Sequence, residues 1–322
     1  MILVTGGAGF IGSNIVASLC GAGQDVVVCD WLGTGDKWRN LAKHDIVDLV
    51  PPERLFDWLP DRLQAVVHMG AISSTTERDG DALWRNNVET SMRLWRHCAQ
   101  HRLPLVYASS AATYGDGSVG FDDAGDRQSL LRLRPLNGYG WSKLVFDRQA
   151  ARAVAAGEAP PRWAGLRFFN VYGPNEYHKD DMRSVVAKNV ATARSGGAVT
   201  LFRSHRPDIA DGEQARDFVY VKDCVEVVLW LLQHDGNGLF NVGTGQARTF
   251  LDLVTALFAA LGREPNIRFV DMPEAIRERY QYHTQARMER LRAAGYDRPF
   301  TSLEDGVTDY VTGYLVNDDP YR

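Results

Sequence analysis

Tyr139-Gly140-Trp141-Ser142-Lys143 sets a phenol and an ammonium four residues apart. On a helix that spacing puts both on one face, so the cation can lie beside the phenol. A phenol is a poor base at neutral pH, and a nearby positive charge favours its phenolate. Tyr139 can then pass a proton while a hydride moves elsewhere, with Lys143 also placed to hold a nicotinamide ribose. Upstream, Tyr107-Ala108-Ser109-Ser110-Ala111-Ala112-Thr113-Tyr114-Gly115 gathers hydroxyls behind an apolar run. Ser110 is the candidate to hydrogen-bond a substrate oxygen next to Tyr139.

A third element stands at the chain start, where Val4-Thr5-Gly6-Gly7-Ala8-Gly9-Phe10-Ile11-Gly12 places glycines at 6, 9 and 12. Between a strand and a helix, Gly6 permits a tight turn and Gly9 lets backbone approach a pyrophosphate. Gly12 lets the helix pack on the strand, and the helix N-terminus faces the phosphates. Asp30 ends the next apolar run, where a carboxylate accepts hydrogen bonds from the adenosine ribose and favours NAD. Lys37 and Arg39 follow, to neutralise a 2′-phosphate or simply to stay solvated. The residues alone therefore leave NAD and NADP open. Glycine loop, serine cluster and Tyr/Lys pair in this order form a much more specific signal than any of them alone.

Strands are expected at Ile2–Thr5, Asp25–Cys29, Ala65–His68, Leu105–Ala108 and Trp163–Phe169, and helices at Ile11–Cys20, Asp81–His101 and Ser142–Ala156. This alternation predicts an α/β fold, a Rossmann-type doubly wound parallel sheet covered on both faces. In the second half, Asp180–Ser195 reads as a helix stopped by Gly196-Gly197, and Arg203–Gln214 as a polar loop. Asp223–Gln233 reads as an apolar helix and Leu239–Val242 as a strand. The expected division is a dinucleotide-binding domain over 1–169 and a smaller α/β substrate-binding lobe over 170–322, with 217–245 returning to the first domain.

The 322 residues are 45% apolar and 24% charged, with a net charge of -4. That is globular composition, with no general attraction to nucleic acid or to an anionic membrane. The four cysteines (Cys20, Cys29, Cys98, Cys224) are scattered and form no CxxC pair, which predicts neither a metal site nor a disulfide framework. No targeting segment or membrane span is visible, so the expected location is the cytoplasm.

The order of these motifs is that of the extended short-chain dehydrogenases/reductases. Over its whole length the chain further resembles the ADP-glyceromanno-heptose 6-epimerases. The resemblance is carried by VTGGAGFIGSNIV at the start, SSTTERDG from Ser73, Asn86-Asn87 and YASSAATYG from Tyr107. It continues in PLNGYGWSK from Pro135, LRFFNVYGPNEYHK from Leu166, ARDFVYVKD from Ala215, FNVGTG from Phe240, RYQYHTQA from Arg279 and LRAAGYD from Leu291. It implies transient oxidation at C6″ of an ADP-heptose by bound NADP, with Tyr139 and Lys179 as acid/base groups on opposite sides of the carbon. Lys179 also reads as an ordinary loop lysine. Phe10, Ile11, Asp30, Trp31, Lys37, the turn Met69-Gly70-Ala71-Ile72-Ser73, Asn86, Lys143, Val171 and Lys179 would surround the cofactor. Asn170, Asp181, Lys188, Phe202, Arg203, Ser204, His205, Arg216 and Tyr280 would line the ADP-sugar pocket. A guanidinium fork suits a pyrophosphate, which supports Arg216 independently. A salt bridge to Asp217 is the alternative there, and simple packing is the alternative for Tyr280. A homo-oligomer, a ring of five, is also implied.

The chain departs from that family pattern at several places. Trp31 replaces a small polar residue, Pro52 a basic one and Lys188 a histidine, while Asp180-Asp181 follow Lys179. The stretches 116–134 and 203–214 are long and polar. A UDP-hexose 4-epimerase and a non-catalytic dinucleotide-binding module are the rival readings. A 4,6-dehydratase is disfavoured, because Thr113 is followed by Tyr114-Gly115 and not by an acidic pair.

Overall fold

Short runs of β-branched residues, buried on both sides, build the centre of the molecule. The computed structural model describes every residue except Asp61, Glu278 and Arg279. In chain order its strands are β1 (Ile2–Thr5), β2 (Val26–Cys29), β3 (Asp48–Val50), β4 (Ala65–His68), β5 (Leu105–Ser110), β6 (Trp163–Phe168) and β7 (Asn170–Tyr172). There follow β8 (Val199–Phe202), β9 (Ala215–Arg216), β10 (Phe218–Tyr220), β11 (Gly238–Val242), β12 (Arg248–Thr249) and β13 (Ile267–Val270). Seven of them form one sheet in the order β11-β6-β5-β4-β1-β2-β3, every neighbouring pair parallel. Strand order reverses between β1 and β4, so a crevice opens at their carboxyl ends, the position where open α/β sheets take ligands.

Sequence periodicity placed the strands well and several helix boundaries less well. The expected Asp81–His101 helix is broken into Gly80–Leu83, a π-helical turn Trp84–Glu89 and Thr90–Gln100. The expected Asp180–Ser195 helix covers only Val185–Arg194. Asp180 takes a positive φ of 46°, which kinks the short turn over Tyr177–Met182, and Ser184 caps the new helix by accepting from the Ala187 N–H. The expected Ser142 helix begins earlier, at Gly138. The short strands β3, β7, β8, β9, β10, β12 and β13 were not expected; β3, β7, β9, β10 and β12 have only two or three residues, too few to show an alternation.

Two apolar clusters share the chain. One fills both faces of the large sheet. The other joins the Val185–Arg194, Phe250–Ala260 and Leu303–Tyr310 helices to β8 and β10. Phe10, at the first turn of the Phe10–Gly21 helix, belongs to this second cluster, so the C-terminal lobe grips the end of the glycine loop. The 217–245 segment runs back to the sheet, β11 pairing with β6 and the Val221–Gln233 helix packing on the Phe10–Gly21 helix. Cys29, Cys98 and Cys224 are buried and all four thiols are free. Among the described residues no helix is long and apolar enough to cross a membrane.

A Cβ on Gly12 would stand 2.1 Å from the Gly6 carbonyl oxygen. Gly12→Ala is therefore expected to force helix and loop apart, costing about 2 kcal/mol or more. Chemical denaturation checks it, and an unchanged midpoint would contradict the packing described here.

Candidate active site

Asn137 starts the helix that carries the phenol and the ammonium. Its side chain accepts from the Gly140 N–H at 2.8 Å, leaving Tyr139 in the first turn and Lys143 one turn on. A Cβ at Gly140 would lie 2.6 Å from the Ala112 carbonyl oxygen, so this turn presses against the residues after β5. Ser110 is the last residue of β5, and its hydroxyl lies near enough to the Tyr139 phenol to influence its ionisation. Burial raises the phenol above its ordinary pKa, and the Ser110 hydroxyl pulls it back part of the way. Tyr139 thus stays protonated until another positive charge arrives. Lys143 is 3% exposed and donates to the Ala108 carbonyl oxygen at 2.8 Å. Burial pushes its pKa down to about 8, against the pull of Asp147.

Asp147 lies one turn beyond Lys143 and was not singled out in the sequence. It faces Arg167 of β6, and neither side chain has any exposure. Asp147 Oδ2 accepts from Arg167 Nη2 at 3.0 Å and from Ser109 Oγ at 2.9 Å, while Oδ1 accepts from the Tyr107 hydroxyl at 3.2 Å. Arg167 Nη1 donates to the Tyr114 hydroxyl, which donates to Asn241 Oδ1 on β11. This buried chain ties the Gly138–Ala155 helix to three strands. Arg167→Leu would leave the Asp147 carboxylate buried without its cation, an expected loss of about 3–5 kcal/mol. Urea unfolding measures it, and a loss under about 1 kcal/mol would show the pair to be dispensable.

The crevice between β1 and β4 is lined by backbone. Gly6 has φ 65°, and a Cβ there would meet the Gly70 backbone nitrogen at 2.6 Å, so the glycine loop and the Met69–Ser73 turn nearly touch. Such a cradle, which any side chain would fill, fits the pyrophosphate of a dinucleotide at the N-terminus of the Phe10–Gly21 helix. At its far side Asp30 Oδ2 accepts from the Ala8 N–H at 3.0 Å. His68, at the end of β4, holds the turn from beneath. Gly70 N–H donates to Thr5 Oγ1, the Thr5 hydroxyl lies 2.6 Å from His68 Nδ1, His68 Nε2 lies 2.8 Å from Ser91 Oγ, and Ser91 donates to the Asn87 carbonyl. Because Ser91 donates onward, His68 Nε2 donates to Ser91, and with the ring neutral Nδ1 accepts from the Thr5 hydroxyl. Asn87 extends the chain, its side chain bonding both backbone groups of Ile72 and the Ser142 hydroxyl. Asn86, the residue favoured from the sequence, is half-buried, and its amide donates back to Ala82 of its own helix.

Burial and the neighbouring Lys143 lower the His68 pKa to about 3. Between the ordinary value of about 6.5 and about 3, the unfolded chain binds a proton that the fold refuses. This contribution to stability is complete above the ordinary value and is lost as pH falls through the window. The acid limb of stability is expected to flatten in His68→Gln relative to the parent in unfolding curves taken across this range. An identical limb would remove His68 from the acid response.

Lys179 is half-buried, with its ammonium 5.3 Å from the Phe10 ring at the mouth of the glycine loop. Burial lowers its pKa while nearby Glu176 raises it. Glu176 is itself buried and anchors the turn, accepting from the Ser184 N–H and hydroxyl. Val171 sits on β7, packed partly against both cores.

In the lobe, Arg216 forms no salt bridge with Asp217. Asp217 instead accepts from Thr244 N, Thr244 Oγ1, Gly245 N and Ala286 N, knitting together the RDFVYV, FNVGTG and TQA motifs. Successive residues on a strand point to opposite sides, which separates the two charges. The buried Arg216 guanidinium lies 5.2 Å from the Tyr280 ring and 5.7 Å from that of Phe250, with no described acid paired to it. Phe202 packs edge-on to Tyr280, as does Tyr282, whose hydroxyl accepts from the His205 N–H. Phe202, Arg216 and Tyr280 therefore come together, and Tyr282 joins them unforeseen. Ser204 N–H is tied to Asp211, and Arg203 to Asp211 and Asp271, which fold the polar loop back on itself. Asn170 is exposed at the start of β7, its Oδ1 3.5 Å from Thr284 Oγ1. Lys188 and Asp181 are exposed, and Lys188 Nζ donates to the Asp181 carbonyl oxygen at 3.2 Å. Arg279, the first residue of the RYQ segment, lies outside the described residues. No cluster of His, Cys, Asp and Glu suited to a metal occurs among the described residues.

Residues 2–243 match the model of the NAD dependent epimerase/dehydratase family. The chain belongs to that family. Within this NAD dependent epimerase/dehydratase family, it is 54% identical to a protein of Nitratidesulfovibrio vulgaris and 44% identical to one of Fusobacterium nucleatum, each match spanning 100% of both chains. Both relatives are named ADP-L-glycero-D-manno-heptose-6-epimerase. Among solved structures, the Helicobacter pylori protein of that name superposes with a TM-score of 0.79 at 27% identity, over 97% of this chain and 95% of that one. UDP-glucose 4-epimerase of Thermus thermophilus, solved with NAD, gives 0.74 at 29% identity over 96% and 97%. Family and neighbours establish that the fold is that of a nicotinamide-dinucleotide epimerase.

Proposed function

We propose that this chain is an ADP-glyceromanno-heptose 6-epimerase. It would interconvert ADP-D-glycero- and ADP-L-glycero-D-manno-heptose and so supply the inner-core heptose of lipopolysaccharide. The observation that carries the reading is a second half-buried ammonium, Lys179, at the mouth of the same glycine loop that the Ser110–Tyr139–Lys143 group serves. Full-length relatives bearing that enzyme's name support the sugar.

Gly6, Gly9, Gly12 and Asp30 would hold the dinucleotide, Lys143 its nicotinamide ribose, and the Met69–Ser73 turn its flank. When bound, the dinucleotide would supply reversible hydride exchange at C6″, and its oxidised ring would supply a positive charge near Tyr139. C6″ is a secondary carbon, so removing its hydride and its hydroxyl proton leaves a ketone. Tyr139 accepts that proton, helped by Ser110 and Lys143. Lys179 gives a proton to the ketone oxygen once the sugar presents its other face, and the roles exchange in reverse. Two groups are needed because the two epimers direct the hydroxyl to opposite sides. Arg216, stacked with Tyr280 and without a carboxylate partner among the described residues, would take the sugar-nucleotide pyrophosphate.

A homo-oligomer in the cytoplasm is part of the same proposal. Trp84 and Trp141 support it, two exposed indoles 6.2 Å apart on neighbouring helical segments, and light scattering of the purified chain checks it.

Tyr139→Phe and Lys179→Met are each expected to lower the rate of ADP-heptose epimerisation by about 10²–10⁴-fold with dinucleotide still bound. Interconversion of the two heptose epimers, followed by chromatography, is the measurement. Turnover of UDP-galactose with none of ADP-heptose would overturn the assignment.

A further inference from the structure

The edge that receives the adenosine ribose carries a negative charge that a 2′-phosphate would have to meet. Asp30 Oδ1 accepts from the Trp31 N–H at 2.8 Å and from Lys37 Nζ at 2.7 Å. Lys37 also donates to the Trp31 carbonyl at 2.7 Å, so two of its three N–H groups are spent within this turn. The Trp31 indole is 49% exposed and donates from Nε1 to Glu53 Oε1 at 2.6 Å. Glu53 follows Pro52 in the short turn after β3, and its carboxylate is thereby held over the same edge. Arg39, the other nearby cation foreseen for a phosphate, lies 5.7 Å from the Tyr321 ring and 5.8 Å from that of Trp38, drawn to those aromatic faces. Two carboxylates thus face one committed ammonium. The fields of Asp30 and Glu53 both reach the end of β2, where, after burial, they help push the Cys29 thiol up to about 12.

We propose that Glu53, held by the Trp31 indole, makes this site select NAD over NADP. The inference rests on reading the crevice as a dinucleotide site. A 2′-hydroxyl can donate to Asp30, whose oxygens retain free lone pairs. A 2′-phosphate brings further negative charge against two carboxylates, and the single ammonium in reach is already bound to one of them. Selectivity is therefore exerted by charge repulsion, against the NADP implied by resemblance.

The test titrates the full-length protein, stripped of nucleotide, with NAD+ and with NADP+ by calorimetry, beside mass spectrometry of the nucleotide released on purification. NAD+ is expected to bind at least about tenfold more tightly, the effect of roughly one unfavourable charge contact. Glu53→Gln keeps a carbonyl acceptor for the indole while removing the charge, and should tighten NADP+ by about tenfold with NAD+ little changed. Equal or tighter NADP+ binding by the parent, released NADP, or an unchanged ratio in Glu53→Gln would overturn the proposal while leaving the epimerase reading intact. Binding of neither dinucleotide would overturn both.

Discussion

A charge pair with no access to water organises the half of this molecule that carries Tyr139 and Lys143. Asp147 and Arg167 gain from each other only because the remaining lone pairs and protons are also satisfied, by Ser109, Tyr107 and Tyr114. Such a pair contributes little net stability against apolar residues of the same size, yet breaking it is costly. Its consequence here is registration. The helix bearing Tyr139 and Lys143 is held to β5 and β6 at one height, so Lys143 reaches the Ala108 carbonyl and Tyr139 meets Ser110. A sliding apolar interface would not define that height.

The same economy of backbone and buried polar chains holds the cofactor side. Thr5, His68, Ser91 and Asn87 form one directional relay from the Met69–Ser73 turn to the π-helical turn Trp84–Glu89, and Asn87 passes it to Ser142 on the Gly138–Ala155 helix. The cradle and that helix are therefore fixed by shared partners. Phe10 connects them to the lobe by burying its ring in the second core, with Lys179 lying above it. A lobe displaced from the sheet would move this ammonium and the glycine loop apart.

Much of this was readable in the residues. The strands of the large sheet, the glycine loop and the Tyr/Lys spacing are local, since each depends on periodicity or on contacts a few residues apart. The motifs RDFVYV, FNVGTG and TQA were visible as recurring strings, but their reason was not. Asp217 binds all three from one carboxylate, and residues far apart in sequence leave no local trace of such a meeting. Asn87 was overlooked for its neighbour because a helix gives adjacent residues different faces, and only packing decides which face turns inward.

By itself, then, the sequence determined a parallel α/β sheet with a glycine loop after its first strand and a phenol four residues from an ammonium on one helix. Those follow from backbone sterics, hydrophobic period and side-chain chemistry, which act over short separations. Tertiary structure alone decided the electrostatic setting of these groups. Whether Lys37 faces a phosphate or a carboxylate, whether Arg216 is paired or free, and how far Lys143 is drawn down all depend on burial and on partners brought from distant strands. Charge interactions strengthen as water is excluded, and exclusion is a property of the assembled fold.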